Sequence, residues 1–309
     1  YFADENHIAL ARLLTENTFA DKVLYANSGA EATEVAIKLA RRWAIKNRGK
    51  KAHESICMEN SFHGRTMGAL SVTGQARFHA GITPMMGGVK VVPYNNIAAV
   101  KAAISRKTAA VIVEPVQCEG GVNIPQIDFM TQLKNLCKKY DILLIADEIQ
   151  TGLGRTGRFL ACEHSLITPD IALLGKSLGG GLPLSAVLTT DAVAGAFGYG
   201  DHGTTMGGNP VSCAAGLACL THILKKKLIR DVASLGDDFK EALFTLKKKH
   251  PAISGIRNLG LIIAFDFEHA EALVEECLAN GLIINKVQQG TIRLLPPFNL
   301  GADELKLAM

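Results

Sequence analysis

The sequence lacks the cysteine spacing of a zinc site or of a disulfide-stabilised domain. Its seven cysteines are scattered along 309 residues, and no two of them form a C-x-x-C pair. Because structural zinc sites and small disulfide frameworks need closely or regularly spaced cysteines, we expect neither a metal site nor disulfide bonds. Reduced thiols that act as small apolar side chains favour a cytoplasmic location, or the mitochondrial matrix in a eukaryote.

The sequence also lacks a long apolar segment, a large net charge and a signal peptide. No run of about eighteen apolar residues is present, so we expect no membrane-spanning helix. The net charge is only +4, and the basic clusters at 41–51, 225–227 and 247–249 are typical of solvated helix faces, so we expect no nucleic-acid partner. The first residues, YFADENHIALARLL, do not have the basic-then-apolar layout of a secretion signal.

Short apolar runs alternate with amphipathic ones along much of the chain. This alternation predicts an α/β protein with a mostly parallel sheet between layers of helices. Several predicted strands are apolar throughout, as expected for strands that helices cover on both faces. The predicted strands are Lys22 to Ala26, Ser55 to Met58, Ala110 to Val113, Ile142 to Asp147, Ile171 to Leu174 and Ser185 to Thr189. The clearest predicted helix has apolar residues at helical spacing from Ala32 to Trp43, and another runs from Asn209 to Lys225 behind Pro210.

The pattern changes after residue 228, where the glycine-rich strands and loops give way to longer helical segments. We therefore predict a large domain at 1–228 and a smaller α+β domain at 229–309. The elements predicted for the smaller domain are helix Leu228 to Lys249, strand Leu261 to Phe267, helix Ala270 to Asn280, strand Leu282 to Asn285 and strand Thr291 to Leu295. The last residues, GADELKLAM, look like the start of another helix and no Met begins the sequence, so we expect both ends to be incomplete.

The segment NSGAEATEVAIKLAR, residues 27–41, predicts the start of an amphipathic helix. Ser28 and Glu31 have the spacing of a capping box. Gly29 and Ala30 then fall in the first turn, where backbone N–H groups have no partner within the helix and small side chains let a phosphate approach. An ordinary capped helix without a ligand explains the same residues.

The segment DEIQTGLGRTGRF, residues 147–159, follows the apolar run ILLIA. Asp147 therefore lies at the carboxyl end of a buried strand, where open α/β sheets bind ligands. An ionised carboxylate there needs a cationic partner, and a protonated pyridine nitrogen is one candidate. Ile149 would offer an apolar surface to a flat ring. The alternative is an aspartate that caps a loop.

The segment SFHGRTMGALSVTG places Phe62 and His63 just after another predicted strand. Phe62 could stack on the opposite face of a flat ring, or it could cover the edge of the core. Arg65 could bind a substrate carboxylate through two hydrogen bonds, although a surface arginine without a ligand is the ordinary reading.

Lys176 stands between the apolar run IALL and the glycines of GKSLGGGLP. A lysine in this place either reaches solvent or has a function that needs a partly desolvated amine. Burial makes the neutral, nucleophilic form of an amine accessible, so Lys176 is a candidate to form a Schiff base with an aldehyde. In HGTTMGGNP, the hydroxyls of Thr204 and Thr205 are a second candidate phosphate contact.

Taken together, these segments resemble the class III, ornithine-type aminotransferases, which use pyridoxal 5′-phosphate. NSGAEA, FHGRT, EPVQCEGGV, DEIQTGLGRTG, LGKSLGGGLP and HGTTMGGNP occur between residues 27 and 210 in the order of that family. The resemblance implies the fold-type I architecture and a transfer of the terminal amino group of an amino-acid donor to 2-oxoglutarate. FHGRTMGALSVTGQ and IRLLPP are most similar to members that act on N-acetylornithine in arginine biosynthesis, with ornithine-specific members close behind.

The resemblance also implies roles for individual residues around the cofactor. Lys176 is similar to the Schiff-base lysine that moves the proton, Asp147 to the partner of the pyridine nitrogen, and Gln150 to the contact of the ring's phenolic oxygen. The full set of implied cofactor-binding residues is Ser28, Gly29, Ala30, Phe62, Asp147, Ile149, Gln150, Lys176 and Thr205.

Substrate and subunit contacts follow from the same resemblance. Arg65 and Thr204 resemble substrate contacts, and Thr205 resembles a threonine that reaches the phosphate bound by the neighbouring subunit, so a homodimer is implied. Glu119 and Arg293 resemble a pair that alternates between an ion pair and binding of the 2-oxoglutarate carboxylate.

The sequence departs from the family at two positions and leaves other functions open. Cys118 stands where glycine is usual, and Met206 stands where an aromatic residue is usual, so both bear on substrate preference. A decarboxylase or aminomutase on the same scaffold remains an alternative, as does a non-catalytic protein that binds a ligand or partner. A dinucleotide-binding oxidoreductase is disfavoured because Gly179, Gly180 and Gly181 do not have the spacing of a dinucleotide loop.

Overall fold

A computed structural model describes residues 4–308 and contains a seven-stranded main sheet. Its strands are β1 (Lys22–Ala26), β2 (Glu54–Met58), β3 (Val89–Val92), β4 (Thr108–Val113), β5 (Leu143–Asp147), β6 (Ile171–Leu174) and β7 (Ser185–Thr189). They are arranged in the order β1-β7-β6-β5-β4-β2-β3. Both pairings of β7 are antiparallel, whereas the pairs β2–β3, β2–β4, β4–β5 and β5–β6 are parallel. The predicted α/β fold with a mostly parallel sheet is therefore confirmed.

Helices cover both faces of this sheet. They are α1 (Glu5–Glu16), α2 (Gly29–Arg48), α3 (Met67–Ser71), α4 (Ile97–Ala103), α5 (Phe129–Tyr140), α6 (Asp191–Ala194) and α7 (Pro210–Lys225). All six residues of β4 are buried, because successive side chains of a strand point to opposite faces. Val111 packs with Leu133 of α5 on one face, and Ile112 packs with Leu39 of α2 on the other.

A second, smaller sheet lies in the last quarter of the chain. Its region contains α8 (Leu228–Lys249), β8 (Ser254–Leu259), β9 (Ile262–Asp266), α9 (Ala270–Ala279), β10 (Asn285–Gln288), β11 (Thr291–Leu294) and α10 (Ala302–Ala308). The four strands are antiparallel in the order β10-β11-β9-β8. Phe239 and Leu243 of α8 pack on Ile263 and Phe265 of β9 in a separate core. The domain boundary at 228 stays a prediction.

Three strands differ from the sequence-based expectation, two of them in the smaller region and one in the main sheet. The strand predicted at Leu282 to Asn285 is wrong, because the strand begins at Asn285. The apolar residues before it line a cavity of about 660 Å³ beside α8 and α9 instead of pairing in the sheet. β8 was not predicted, because it contains Gly255 in the left-handed region (φ +54°) and has no alternation of apolar and polar residues. In the main sheet, the four-residue edge strand β3 was not predicted either. Among the helices of residues 4–308, none is long and apolar enough to cross a membrane.

Candidate active site

The first turn of α2 begins as its sequence predicts. Ser28 is the N-cap with an extended backbone, and its Oγ accepts a hydrogen bond from the Glu31 N–H at 3.2 Å. The Glu31 carboxylate accepts from the backbone and side-chain nitrogens of Asn27, both at 2.8 Å, so the capping contact closes one residue earlier than in the standard box. These bonds leave the N-terminal end of α2 facing the carboxyl edge of the main sheet.

Ile149 lies between the start of α2 and the segment that carries Lys176. A Cβ added to Gly29 would lie 2.8 Å from Ile149 Cδ1, and one added to Gly175 would lie 3.3 Å from Ile149 Cγ2. The two glycines therefore leave room for the isoleucine side chain. Strand β5 ends at Asp147, so the direction of Ile149 comes from this packing and not from a continuing strand.

Asp147 is buried at the carboxyl end of β5 and contacts a histidine. Its Oδ2 lies 2.6 Å from His63 Nδ1, and its Oδ1 accepts from the Ile149 N–H at 3.1 Å. The His63 side chain is fully buried, and its Nε2 has no hydrogen-bond partner within the described residues. The sequence analysis noted His63 but gave it no role. Its position shortly after a buried strand is the feature that could have placed it at the site.

A second buried carboxyl group, which the sequence analysis missed, lies next to Asp147. Glu114 directly follows β4, which is parallel to β5, so both acids reach the same edge of the sheet. Glu114 Oε2 accepts from the Phe62 N–H at 3.0 Å. Burial raises the pKa of Glu114 well above its ordinary value, and the nearby Asp147 raises it further, while the charge of Lys176 lowers it. The sequence feature that could have identified Glu114 is an acidic residue directly after an apolar strand.

Lys176 begins a single 3-10 turn after β6, with a left-handed backbone (φ +46°). Its side chain is exposed in the single chain, so the expectation of a buried amine is wrong for this chain by itself. The reason is geometric, because the strand ends at Leu174 and the turn carries Lys176 beyond the sheet edge. The charge of Lys176 nevertheless lowers the pKa of the buried Glu114, against the effect of burial.

Phe62 and Arg65 form an aromatic and cationic group beside this edge. The Phe62 ring packs edge-on against Phe78, with ring centroids 5.9 Å apart. The Arg65 guanidinium lies 4.0 Å from the Phe78 centroid and 5.6 Å from the Phe62 centroid. The exposed Arg65 guanidinium therefore lies over two aromatic rings. Its N–H groups point outward from the edge of the guanidinium plane, where they can donate hydrogen bonds.

Glu119 and Arg293 form an ion pair that joins the loop after β4 to β11. Arg293 Nη1 lies 2.7 Å from Glu119 Oε1 and also donates to the Cys118 carbonyl at 3.2 Å. The arginine is only 9% exposed, so the carboxylate compensates a nearly buried charge. Gln150 Nε2 lies 3.4 Å from the same Glu119 oxygen.

The two threonines lie in an exposed loop close to the start of α2. Thr204 Oγ1 accepts from Asn27 Nδ2 at 3.3 Å, one residue before Ser28. Thr205 and Met206 are exposed. Cys118, by contrast, is fully buried against Ile262 of β9.

Comparisons with known proteins identify the family. The model of the class III aminotransferases matches residues 1–309. The acetylornithine aminotransferase of Caldanaerobacter subterraneus subsp. tengcongensis is 42% identical over 308 residues, which cover 99% of this chain and 78% of that protein. The crystal structure of the ornithine aminotransferase from Toxoplasma gondii ME49 has a TM-score of 0.95 and 35% identity, covering 99% of this chain and 75% of that one. The chain belongs to the class III aminotransferase family.

The family establishes the cofactor and the class of reaction. Another structure of the Toxoplasma gondii protein, with the same TM-score, identity and coverage, has pyridoxal phosphate at partial occupancy in its active site. The chain is accordingly a pyridoxal-phosphate-dependent ω-aminotransferase. Its residues fit this group, because Asp147 has acceptor capacity left beyond its two hydrogen bonds and Gly64 packs on Ala30 without a side chain in the way.

Proposed function

We propose that the chain transfers the terminal amino group of N-acetylornithine to 2-oxoglutarate, as a step of arginine biosynthesis. The observation that carries the proposal is the Glu119–Arg293 ion pair beside Gln150. A nearly buried arginine whose partner is about one-third exposed can exchange that partner for a substrate carboxylate. The likeness of FHGRTMGALSVTGQ and IRLLPP to enzymes that act on N-acetylornithine supports this donor.

The cofactor is proposed to lie between α2, β5 and the turn after β6. The first-turn N–H groups of Gly29 and Ala30, with the Ser28 cap, would bind its phosphate. Asp147 would hold a proton on the pyridine nitrogen, and Gln150 would donate to the phenolic oxygen. When bound, pyridoxal 5′-phosphate supplies an aldehyde and an electron-accepting ring.

Three further side chains are proposed to act around the ring and the donor. Phe62 and Ile149 would contact its two faces, which excludes water from them. The Lys176 amine would hold the cofactor covalently and, once displaced by the donor, would take a proton from the donor carbon that bears nitrogen.

The two substrates are proposed to use different cations. Arg65 and Thr204 would bind the donor's α-carboxylate, because Arg65 presents its donors above two aromatic rings. Arg293 would remain paired with Glu119 while the donor is bound, and would turn to the carboxylate of 2-oxoglutarate afterwards. Thr205 is proposed to complete the phosphate site of a second subunit in a homodimer.

A donor panel tests the proposal. The holoenzyme would be supplied with 2-oxoglutarate and with N-acetylornithine, ornithine, N-succinylornithine or a longer ω-amino acid, and glutamate formation would be measured. We expect the highest kcat/KM with N-acetylornithine. A higher value with ornithine would overturn the proposed donor, and glutamate formation that does not need an ω-amino donor would overturn the proposed reaction.

The role of Lys176 is tested in the same assay with two lysine variants. Lys176→Ala should abolish glutamate formation and remove the visible absorbance of covalently held cofactor. Lys22→Ala is the matched control, because the Lys22 ammonium forms an exposed ion pair with Asp191 and has no other side-chain partner within residues 4–308, and the variant should behave as the wild type.

A further inference from the structure

Glu119 lies at the tip of a short hairpin, which we call the Glu119 hairpin (residues 117–123). Gln117 and Asn123 exchange two backbone hydrogen bonds of 3.1 Å, and Asn123 Nδ2 donates to the Gln117 side-chain oxygen at 3.0 Å. These bonds close the base of the hairpin, and at the tip Asn123 Nδ2 also donates to the Gly120 carbonyl at 3.0 Å and Gln288 Nε2 to the Glu119 carbonyl at 3.4 Å. The direction of the Glu119 carboxylate therefore depends on these two bonds and on what holds the carbonyls of Gly121 and Val122.

The tip contains a residue in a strained backbone conformation. Val122 has a φ of +54°, which is an outlier for a β-branched side chain. Its side chain is fully buried against Ile262 and Ala264. Conformations of this kind persist only where the surrounding structure over-determines them, and they cluster where a side chain must be aimed.

Arg257 of β8 supplies that constraint. Its Nε donates to the carbonyls of Gly121 and Val122 at 3.2 and 3.1 Å, and its Nη2 donates to the Gly121 carbonyl at 2.6 Å. On its other side, Nη1 and Nη2 donate to the two carboxylate oxygens of Asp266 at 2.9 and 3.0 Å. Thr291 Oγ1 donates to Asp266 Oδ1 at 2.8 Å, so the carboxylate is itself fixed.

Only a guanidinium can satisfy both groups of acceptors at once. Its five N–H donors lie in one rigid plane, so one edge of Arg257 meets the hairpin carbonyls while the other meets Asp266. A lysine at this position has a single nitrogen on a flexible stem and could serve only one side. The smaller sheet therefore holds the hairpin tip by a contact that depends on the shape of the cation as well as on its charge.

We propose that Arg257 is a positioning residue that keeps the Glu119 carboxylate on Arg293 and thereby sets how the site discriminates between its substrates. This inference rests on the proposed function. Arg257 itself touches neither the ion pair nor the residues proposed to hold the cofactor. It acts through the backbone of Gly121 and Val122, two and three residues after Glu119.

The consequence for the reaction follows from competition for Arg293. While Glu119 is held in place, a substrate carboxylate must displace it to reach the arginine. A loosened tip makes Glu119 a weaker competitor for Arg293, so amino acids with an acidic side chain bind more tightly. The affinity for the ω-amino donor does not increase, because that donor does not bind Arg293. When the Arg257 contact is lost, we expect the ratio of kcat/KM for N-acetylornithine to kcat/KM for glutamate to fall about tenfold, with kcat nearly unchanged. A change of this size is within the range by which substitutions between two sites alter the coupling of those sites.

The experiment compares two arginine-to-lysine variants of the holoenzyme. Arg257→Lys removes the double contact, and Arg155→Lys is the matched control, because Arg155 donates to the carbonyls of Leu261 and Pro296 near the same sheet without touching the hairpin. Thr291→Val, which removes one bond to Asp266, is the milder variant if Arg257→Lys does not fold. The measurements are amide hydrogen exchange at residues 118–124 and the KM and kcat for each amino donor.

The expected result is faster exchange at the hairpin and a lower KM for glutamate in Arg257→Lys, with neither change in Arg155→Lys. Equal exchange in the two variants would overturn the positioning role. Faster exchange with an unchanged donor preference would overturn the link to discrimination. If the wild type transaminates no ω-amino donor, the proposed function and the discrimination link both fail, whereas hydrogen exchange still decides whether Arg257 holds the tip.

Discussion

At the scale of single residues, two buried carboxyl groups with different hydrogen-bond partners meet at one edge of the main sheet. Asp147 has a histidine 2.6 Å away, whereas Glu114 has one backbone N–H and is surrounded by protein. Burial without a strong cationic partner favours the protonated form of a carboxyl group. Glu114 can therefore stay neutral at this edge of the sheet.

The raised pKa of Glu114 predicts a pH-dependent stability. The folded state binds the Glu114 proton more tightly than the unfolded state, so the wild type loses stability as the pH rises above the ordinary value of 4.5. Glutamine cannot ionise and can still accept from Phe62. The free energy of unfolding of Glu114→Gln relative to wild type should therefore increase with pH, by at most about 1.4 kcal/mol per pH unit. Urea unfolding of the apoprotein between about pH 4 and pH 8 measures it.

Glu54→Gln is a control of opposite sign. The hydrogen bond from Lys90 lowers the pKa of Glu54, so ionised Glu54 stabilises the folded wild type and this contribution is lost as the pH falls. The free energy of unfolding of Glu54→Gln relative to wild type should therefore decrease as the pH rises. A difference between Glu114→Gln and wild type that does not change with pH would contradict the assignment of a neutral Glu114.

At the scale of elements, the site depends on how closely the turn after β2 approaches α2. Gly64 has a φ of +126°, and a Cβ added to it would lie 2.6 Å from the Ala30 Cβ and 2.8 Å from the Ala30 Cα. Neither atom can move without shifting the first turn of α2. This contact aligns the proposed phosphate site with the loop that carries Phe62.

Gly64→Ala should therefore destabilise the protein by about 2–5 kcal/mol, because the cost of overpacking adds to the cost of the left-handed backbone. Gly81→Ala is the matched control, since Gly81 has a φ of +77° and open space around it, and only the backbone term of about 1–2 kcal/mol applies. Equal losses in chemical denaturation would show that the contact with Ala30 does not matter.

At the scale of the whole molecule, the proposed dimer makes a prediction about mixed subunits. Lys176→Ala and Thr205→Glu should each be inactive, the second because its carboxylate would repel the phosphate of the neighbouring site. If Thr205 serves the other subunit, a mixed dimer contains one intact site, and random mixing should restore about a quarter of the wild-type activity.

The control for this experiment mixes Lys176→Ala with Asp147→Asn. Both residues are proposed to act in the site of their own subunit, so no mixed dimer would contain an intact site and no activity should return. Recovery in this control, or none with Thr205→Glu, would count against shared sites.

The sequence by itself determined the features that depend on neighbouring residues. The apolar runs located six of the seven strands of the main sheet, the Ser28 cap located the start of α2, and the position of Asp147 at the end of a buried strand placed it at the sheet edge. These signals are local, because strand burial, capping and strand ends are set by residues a few positions apart. The Glu119–Arg293 pair came from the family resemblance and not from spacing.

Only the tertiary structure decided the contacts between distant segments. His63 meets Asp147 across 84 residues, Arg293 meets Glu119 across 174, and Arg257 reaches the hairpin carbonyls across 136 and 135. It also decided that Lys176 is exposed in the single chain and that Leu282 to Ile284 line a cavity. No local periodicity encodes how two layers pack, so these results follow from the arrangement of the two sheets and their helices.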